Sequence, residues 1–379
     1  MHYRSVFGFF DLTPLHHHRR SPLRAWSAAD ALLLREAHEL RPVPERLLVV
    51  NDVHGALGVC LQHWRPFHWN DSYTSLRALQ LNLRRNGMLF LPEHWVTAAE
   101  NPEGLFDTVL LRIPKSLSLL RDQLTRLRPC LSPQTRIIAS GMVKHLSRST
   151  VEVFEQCIGP SHRSLAERKA RLVFAELDPE LAVPAVAPTR VPVPNTDLEL
   201  ISYAGVFSQQ KSDPGTLLLL THFPDVSGAR HILDLGCGNG VLACHAGRLN
   251  PAAQLTLLDN SWLALRSARE TLAHNDTQNP AEFIAGDALD EYRDQVDLVL
   301  CNPPFHAGNR LDGDIARRMF QGAARCLTPE GSLVVVGNRH LGYHRTLQTW
   351  FDSVELVASN PKFVVLRAAA PRPGKASRK

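Results

Sequence analysis

The stretch "DLVLCNPPFH", Asp297 to His306, drives an apolar run straight into Asn302-Pro303-Pro304-Phe305. Neither proline donates a backbone hydrogen bond, so a strand must stop there. The stop presents a side-chain amide, a carbonyl held by rigid proline geometry, and an aromatic ring. That set suits an exocyclic amine on a planar base, whose lone pair is delocalised and poorly nucleophilic. Two acceptors on its N–H groups, the Asn302 oxygen and the Pro303 carbonyl, can aim the lone pair while Phe305 stacks on the ring. Positioning of this kind draws on the ~7–11 kcal/mol open to well-oriented reactants, and preorganised dipoles add to it. A strand merely ended by proline explains Pro303 and Pro304, but not the Asn and Phe beside them.

A second constellation is "DLGCGNG", Asp234 to Gly240, with three alternate glycines between an apolar run and a helical one. Glycine there permits positive φ and lets a ligand lie against the backbone. Nineteen residues past Gly240 stands Asp259, a carboxylate placed to accept both hydroxyls of a ribose. A nicotinamide fold prefers G-x-G-x-x-G. The G-x-G-x-G spacing opened by Asp234 favours S-adenosylmethionine, with a dehydrogenase or a purely structural turn as the alternatives. Asp287 in "AGDAL" either accepts from an adenine amine or caps a turn.

These residues need a scaffold that brings them together. Strand-like runs at 231–236, 253–260, 281–287, 296–305 and 331–338 alternate with helical ones, and paired strands follow near 353–358 and 363–369. Such alternation predicts an α/β fold with a mostly parallel sheet. Ligands on such sheets sit beyond the carboxyl ends of the strands, where Asp259, Asp287, Asn302 and the glycines all fall.

The first half reads as a worn copy. "DTVLLRIPK" (107–115) matches 297–305, "RPCLSPQTRIIASG" (128–141) matches 324–337, and "LLVVNDVHGALG" (47–58) lies on 231–242 with Gly55 against Gly240. Arg112 then stands for Asn302 and Lys115 for Phe305, while Asn51 and Val53 replace Gly236 and Gly238. The expected organisation is a degenerate, non-catalytic domain at 1–176, a proline-rich linker at 177–197 and a catalytic domain at 198–379. Arg112, Lys115, Arg84 and Arg85, with Arg121 and Arg126 behind them, are the candidate grip on phosphates. The basic tail 371–379 is a further candidate.

Composition narrows the field. A chain of 379 residues with 44% apolar content and a net charge of +5 fits two globular domains and tolerates a polyanionic partner. Seven scattered cysteines without a C-x-x-C pair argue against a disulfide framework or zinc site and for a reducing cytoplasm. No apolar run is long enough to span a membrane, and the first residues lack a signal-peptide pattern. His16-His17-His18 reads as a solvated arm, so no metal is expected.

Taken together, "NPPFH" (302–306) and "DLGCGNGV" (234–241) resemble the ribosomal RNA guanine-N2 methyltransferases of the RsmC/RlmG family. "GNRHLGYHRTL" (337–347), "NPKFVVLRA" (360–368), "PLRAWSAAD" (22–30), "NDSYTS" (70–75), "LNLRRNG" (81–87) and "LLRIPKSLSLL" (110–120) resemble the RlmG branch. The segment "FSQQKSDPG" lacks the arginine that the family carries after the position of Ser208. The resemblance implies two tandem Rossmann-like class I methyltransferase domains, S-adenosylmethionine as donor, and one guanine of 23S ribosomal RNA as acceptor; the access that a two-domain enzyme needs to a sizeable helical region favours protein-free RNA. It places Asp234, Gly236, Gly238, Gly240, Asp259, Asp287 and Asn302 around the cofactor and Asn302 to Phe305 at the target base. Swinging that base out of its stack is part of the task. Rival readings are a 16S-directed enzyme of the RsmC type, or an N-methyltransferase of protein glutamine or DNA adenine.

Overall fold

Short runs of Leu, Ile and Val with both neighbours apolar form the central strands, because parallel strands are covered on both faces. In the first unit Leu47 and Val49 enter one core cluster while Leu48 and Val50 enter the other. In the second, Ile232 faces one side while Leu233 and Leu235 face the opposite one. A computed structural model describes residues 1–16, 23–304 and 310–372, the side chains of 310–313 excepted. It divides the chain into two compact units, Met1–Ala187 and Pro188–Lys379.

The first unit opens with an antiparallel hairpin, β1 (His2–Ser5) and β2 (Gly8–Asp11). Its main sheet holds β3 (Leu47–Val50), β4 (Phe67–Asn70), β5 (Trp95–Thr97), β6 (Thr108–Arg112), β7 (Arg136–Met142), β8 (Ser161–Arg163) and β9 (Ala170–Ala175). The second unit opens with its own hairpin, β10 (Thr189–Pro192) and β11 (Glu199–Ser202). Its sheet holds β12 (His231–Leu235), β13 (Gln254–Asp259), β14 (Ala281–Ala285), β15 (Val296–Cys301), β16 (Leu327–Asn338), β17 (Phe351–Ser359) and β18 (Phe363–Pro371). The strand orders, β5-β4-β3-β6-β7-β9-β8 and β14-β13-β12-β15-β16-β18-β17, are the same order twice. Each sheet is parallel except at the two strands of its last edge. The fold is therefore α/β with two Rossmann-like units in tandem.

The correspondence reaches individual contacts. Helices α1 (Ala28–Glu39), α2 (Ala56–Cys60) and α3 (Tyr73–Arg85) in the first unit, which also holds α4 (Leu117–Leu127) and α5 (Arg148–Cys157), answer to α6 (Pro214–Thr221), α7 (Val241–Leu249) and α8 (Trp262–His274) in the second. In the first unit Asp11 N and Thr13 N donate to Asn86 and Asn82 on and just after α3. In the second, Glu199, Ile201 and Tyr203 donate their backbone N–H groups to Asn275, Thr271 and Ser267 on and just after α8. A polar stripe at helical spacing thus satisfies a strand edge that would otherwise be left bare. The hairpin belongs to each unit.

The 177–197 stretch, expected as a linker, is accordingly shared out. Arg128 holds the carbonyls of Asp178 and Leu181, tying the first part to the first unit, while β10 pairs with β11 in the second. All seven cysteines are buried thiols. Among the described residues no helix is long and apolar enough to cross a membrane.

Candidate active site

The parallel register sets Leu235 at the end of β12 beside Cys301 at the end of β15. The glycine turn and Asn302 therefore emerge next to each other. Gly236 N and Cys237 N both donate to Leu258 O, at 2.8 and 3.1 Å, which pins the turn against β13. Gly238 N donates to Asp259 Oδ2 at 2.9 Å, and Ser261 N donates to Asp259 Oδ1 at 2.9 Å. Beneath the turn, buried Asp234 accepts from Ala243 N at 3.1 Å. Burial pushes its pKa up to about 7, against the pull of that backbone N–H. Burial also raises Asp259, against N–H groups of Ser261, Gly238 and Asn260.

Two of the glycines have different tasks. Gly240, at φ +79°, ends the turn where an added Cβ would lie 2.8 Å from the Cβ of Ala268 on α8. Gly238, at φ +54°, has no described residue within 4 Å of such a Cβ. The first glycine packs two helices together and the second leaves a bare backbone face. A bare face beside a carboxylate is what a ribose-bearing cofactor needs, so these residues fit the group.

Asn302 carries the clearest signal. Its Nδ2 donates to Thr216 Oγ1 at 2.9 Å and lies 3.4 Å from Asp213 Oδ2. Its Oδ1 is buried and has no hydrogen-bond partner among the described residues. A carboxylate only accepts, so the amide nitrogen must face Asp213 and the oxygen must point the other way. An orphaned buried acceptor is costly unless a ligand completes it. Pro303 is buried and Pro304 exposed beside it; Phe305 lies outside the described residues. Asp287 follows β14 and is paired with Arg318, whose Nη2 sits 2.7 Å from its Oδ1. Sequence reasoning missed Asp213, Thr216 and Arg318.

The first unit has the same places, filled. Asn51, at φ +60°, stands where Gly236 would and exchanges two amide hydrogen bonds with Gln123, each 2.8 Å. Arg112, proposed from sequence to grip phosphates, is instead turned inward. Its Nε lies 2.7 Å from Asp30 Oδ1, with the side chains only 14% and 11% exposed, and its Nη2 reaches Ser27 Oγ. Ser27 and Asp30 are the cap and third residue of α1, just as Asp213 and Thr216 are of α6. Arg112 thus plugs the site that Asn302 occupies in the second unit. Arg85 pairs with Asp11, Arg121 bonds Gln156, and Arg126 bonds Asn101 and Asp122. Arg84 and Lys115 are exposed. Part of the basic tail, residues 373–379, and His17 to Arg20 lie outside the described residues.

The chain resembles known proteins along its length. Residues 3–179 match the RLMG N-terminal domain and residues 197–367 the methyltransferase small domain. It is 43% identical over 369 residues to ribosomal RNA large subunit methyltransferase G of Pseudomonas aeruginosa (strain UCBPP-PA14), covering 97% of this chain and 99% of that protein. It is 44% identical over 350 residues to the protein of that name from Stutzerimonas stutzeri (strain A1501), covering 92% and 93%. Among solved structures, the T. thermophilus 16S rRNA N2 guanine methyltransferase RsmC, in complex with AdoMet and guanosine, matches with a TM-score of 0.76 at 22% identity over 97% of each chain. That likeness concerns the fold.

Proposed function

The chain belongs to the ribosomal RNA large subunit methyltransferase G family, and on that premise we propose that it methylates the exocyclic N2 amine of one guanine in 23S ribosomal RNA. S-adenosylmethionine, when bound, supplies an activated methyl group. Asp259 would hold its ribose, Asp287 its adenine, and the bare face at Gly238 its approach to the backbone, with Asp234, Gly236 and Gly240 setting the turn. The observation that carries the reading is the buried Asn302 Oδ1 at the mouth of that turn, which has no hydrogen-bond partner among the described residues. It accepts one N–H of the guanine amine, the Pro303 carbonyl accepts the other, and the lone pair is directed out of the ring plane. Phe305 is assigned to stack on the base.

The first unit is the RNA holder in this reading, but with a revised grip. Lys115 follows β6, Lys144 and His145 follow β7, and Lys169 lies in the turn before β9; all four are exposed. Val143 N donates to Lys169 O at 2.8 Å, which brings two of these segments together. Slight desolvation, and then the neighbouring charges of Lys144 and Lys115, hold His145 below the ordinary imidazole value. Such a cluster suits a phosphate backbone. A two-unit enzyme that needs a sizeable helical region favours protein-free RNA in the cytoplasm.

The test is Asn302→Ala assayed on 23S rRNA from a strain lacking the protein, with the methylated nucleotide mapped by primer extension. Loss of one preorganised group at the reacting centre should cost on the order of 10²–10³ in kcat, with cofactor affinity kept within a few-fold. Near-normal methylation at saturating cofactor would overturn the assignment.

A further inference from the structure

Asn302 does its proposed work in only one of its two amide orientations. Rotated by half a turn, it would aim an NH2 group at the substrate amine, donor against donor. Something must hold it, and β15 alone does not, because both orientations have the same shape.

The polarity is set by the start of α6. Asp213 caps that helix through a single oxygen, Oδ2, which accepts from Thr216 N at 2.8 Å and from Thr216 Oγ1 at 3.3 Å. With its proton committed to Asp213, the Thr216 hydroxyl turns a lone pair toward Asn302 and accepts from Nδ2 at 2.9 Å. The direction of every bond follows from one group that cannot donate. The carboxylate also sits at a helix N-terminus, where negative charge is favoured. Chains of this kind polarise each member, so the Asn302 oxygen becomes a stronger acceptor as well as a fixed one.

The first unit supplies an independent comparison. There the cap is Ser27, the carboxylate has moved to the third position as Asp30, and the strand end carries Arg112 in place of an amide. The socket that would orient an amide and the amide itself are altered together.

We propose that Asp213 and Thr216 are positioning residues that select the catalytic orientation of the Asn302 amide; this rests on the guanine-methylating reading above. The test compares Thr216→Val, Thr216→Ser and Asp213→Asn in the full-length protein, by steady-state methylation of 23S rRNA and by cofactor titration. Thr216→Val keeps the shape and the Asp213-to-backbone cap but removes the hydroxyl. It should lower kcat about 10- to 100-fold, the scale of one lost charge-assisted hydrogen bond, while KM for RNA and Kd for S-adenosylmethionine change less than about threefold. Thr216→Ser restores the rate. Asp213→Asn keeps a capping oxygen but adds a donor, so both amide orientations become possible and kcat falls with cofactor affinity retained.

A Thr216→Val enzyme with wild-type kcat overturns the proposal. So does a Thr216→Ser enzyme as slow as Thr216→Val, and so does a loss confined to KM or to thermal stability. If the wild-type protein itself leaves guanine N2 unmethylated, it is the underlying functional reading that fails, which the same assay registers separately.

Discussion

Gly238→Ala and Gly240→Ala, two residues apart, should fail in opposite ways. Both glycines have positive φ, +54° and +79°, so an alanine at either pays about 1–2 kcal/mol for left-handed backbone. At Gly240 the new methyl would also meet Ala268 Cβ at 2.8 Å and its Cα at 2.9 Å, adding an overpacking cost of about 1–3 kcal/mol. At Gly238 no described residue lies within 4 Å, so the described residues add no steric cost. For a unit of this size each kcal/mol shifts Tm by roughly 2–4 °C. Gly238→Ala should therefore melt about 2–8 °C low, and Gly240→Ala about 4–20 °C low, with partial recovery in the Gly240→Ala, Ala268→Gly pair. The ranking reverses for cofactor. A methyl on the bare face holds the ligand off the backbone and should weaken S-adenosylmethionine binding at least about tenfold, 1.4 kcal/mol. Folded Gly240→Ala should bind nearly as the wild type does. Calorimetric titration together with thermal melts reads both quantities. A Gly238→Ala protein that binds cofactor with unchanged Kd would refute the idea that the ligand lies against this turn.

Two other outcomes follow from the first unit. Asp52 is buried and accepts from Gly58 N at 2.8 Å, and burial pushes its pKa up to about 7 from 3.8. Because the folded state holds the proton more tightly, stability falls as pH rises from about 4 to about 7 and then levels. Asp52→Asn keeps an oxygen for Gly58 and removes that slope, so its stability relative to wild type should rise across that window by up to about 4 kcal/mol; parallel denaturation curves at pH 5 and pH 8 would contradict it. Charge reversal of Lys115, Lys144 and Lys169 together should lower the slope of log K against log salt for RNA binding by about 2–3, at roughly 0.7–0.9 per lost phosphate contact, with cofactor affinity untouched. An unchanged slope would remove this cluster from the RNA interface.

Local patterns made much of this legible in the chain. The glycine spacing, the Asn-Pro-Pro break and the strand–helix rhythm are each contained within a few residues, and so survive being read in one dimension. The repeat was legible for the same reason, as "DTVLLR" and "DLVLCN" differ mainly at their last positions. Contacts across the fold were not. Thr216 and Asn302 are 86 residues apart, and nothing in "SDPGT" announces that its hydroxyl is committed to a distant amide. Arg112 misled for a related reason: a sequence shows the sign of a charge but not whether Asp30 lies beside it. The second unit's hairpin was hidden by the prolines and small residues of 177–197, which read as connector, while the stripe of Ser267, Thr271 and Asn275 gives that hairpin's second strand a place to bond.

The Arg112–Asp30 pair gives the division of labour between the units a one-way character. Exchanging Arg112 for asparagine would strand the Asp30 carboxylate in a nearly closed site, at a cost of about 3–5 kcal/mol for breaking a buried ion pair. Changing Asp30 first strands the guanidinium instead. Each single step toward a second amide acceptor therefore crosses a stability barrier before any activity is gained, and the filled turn at Asn51 and Gln123 would have to be emptied as well. Drift cannot easily undo such a latch. With that cleft filled, whatever the first unit contributes to the proposed reaction must come from its outside.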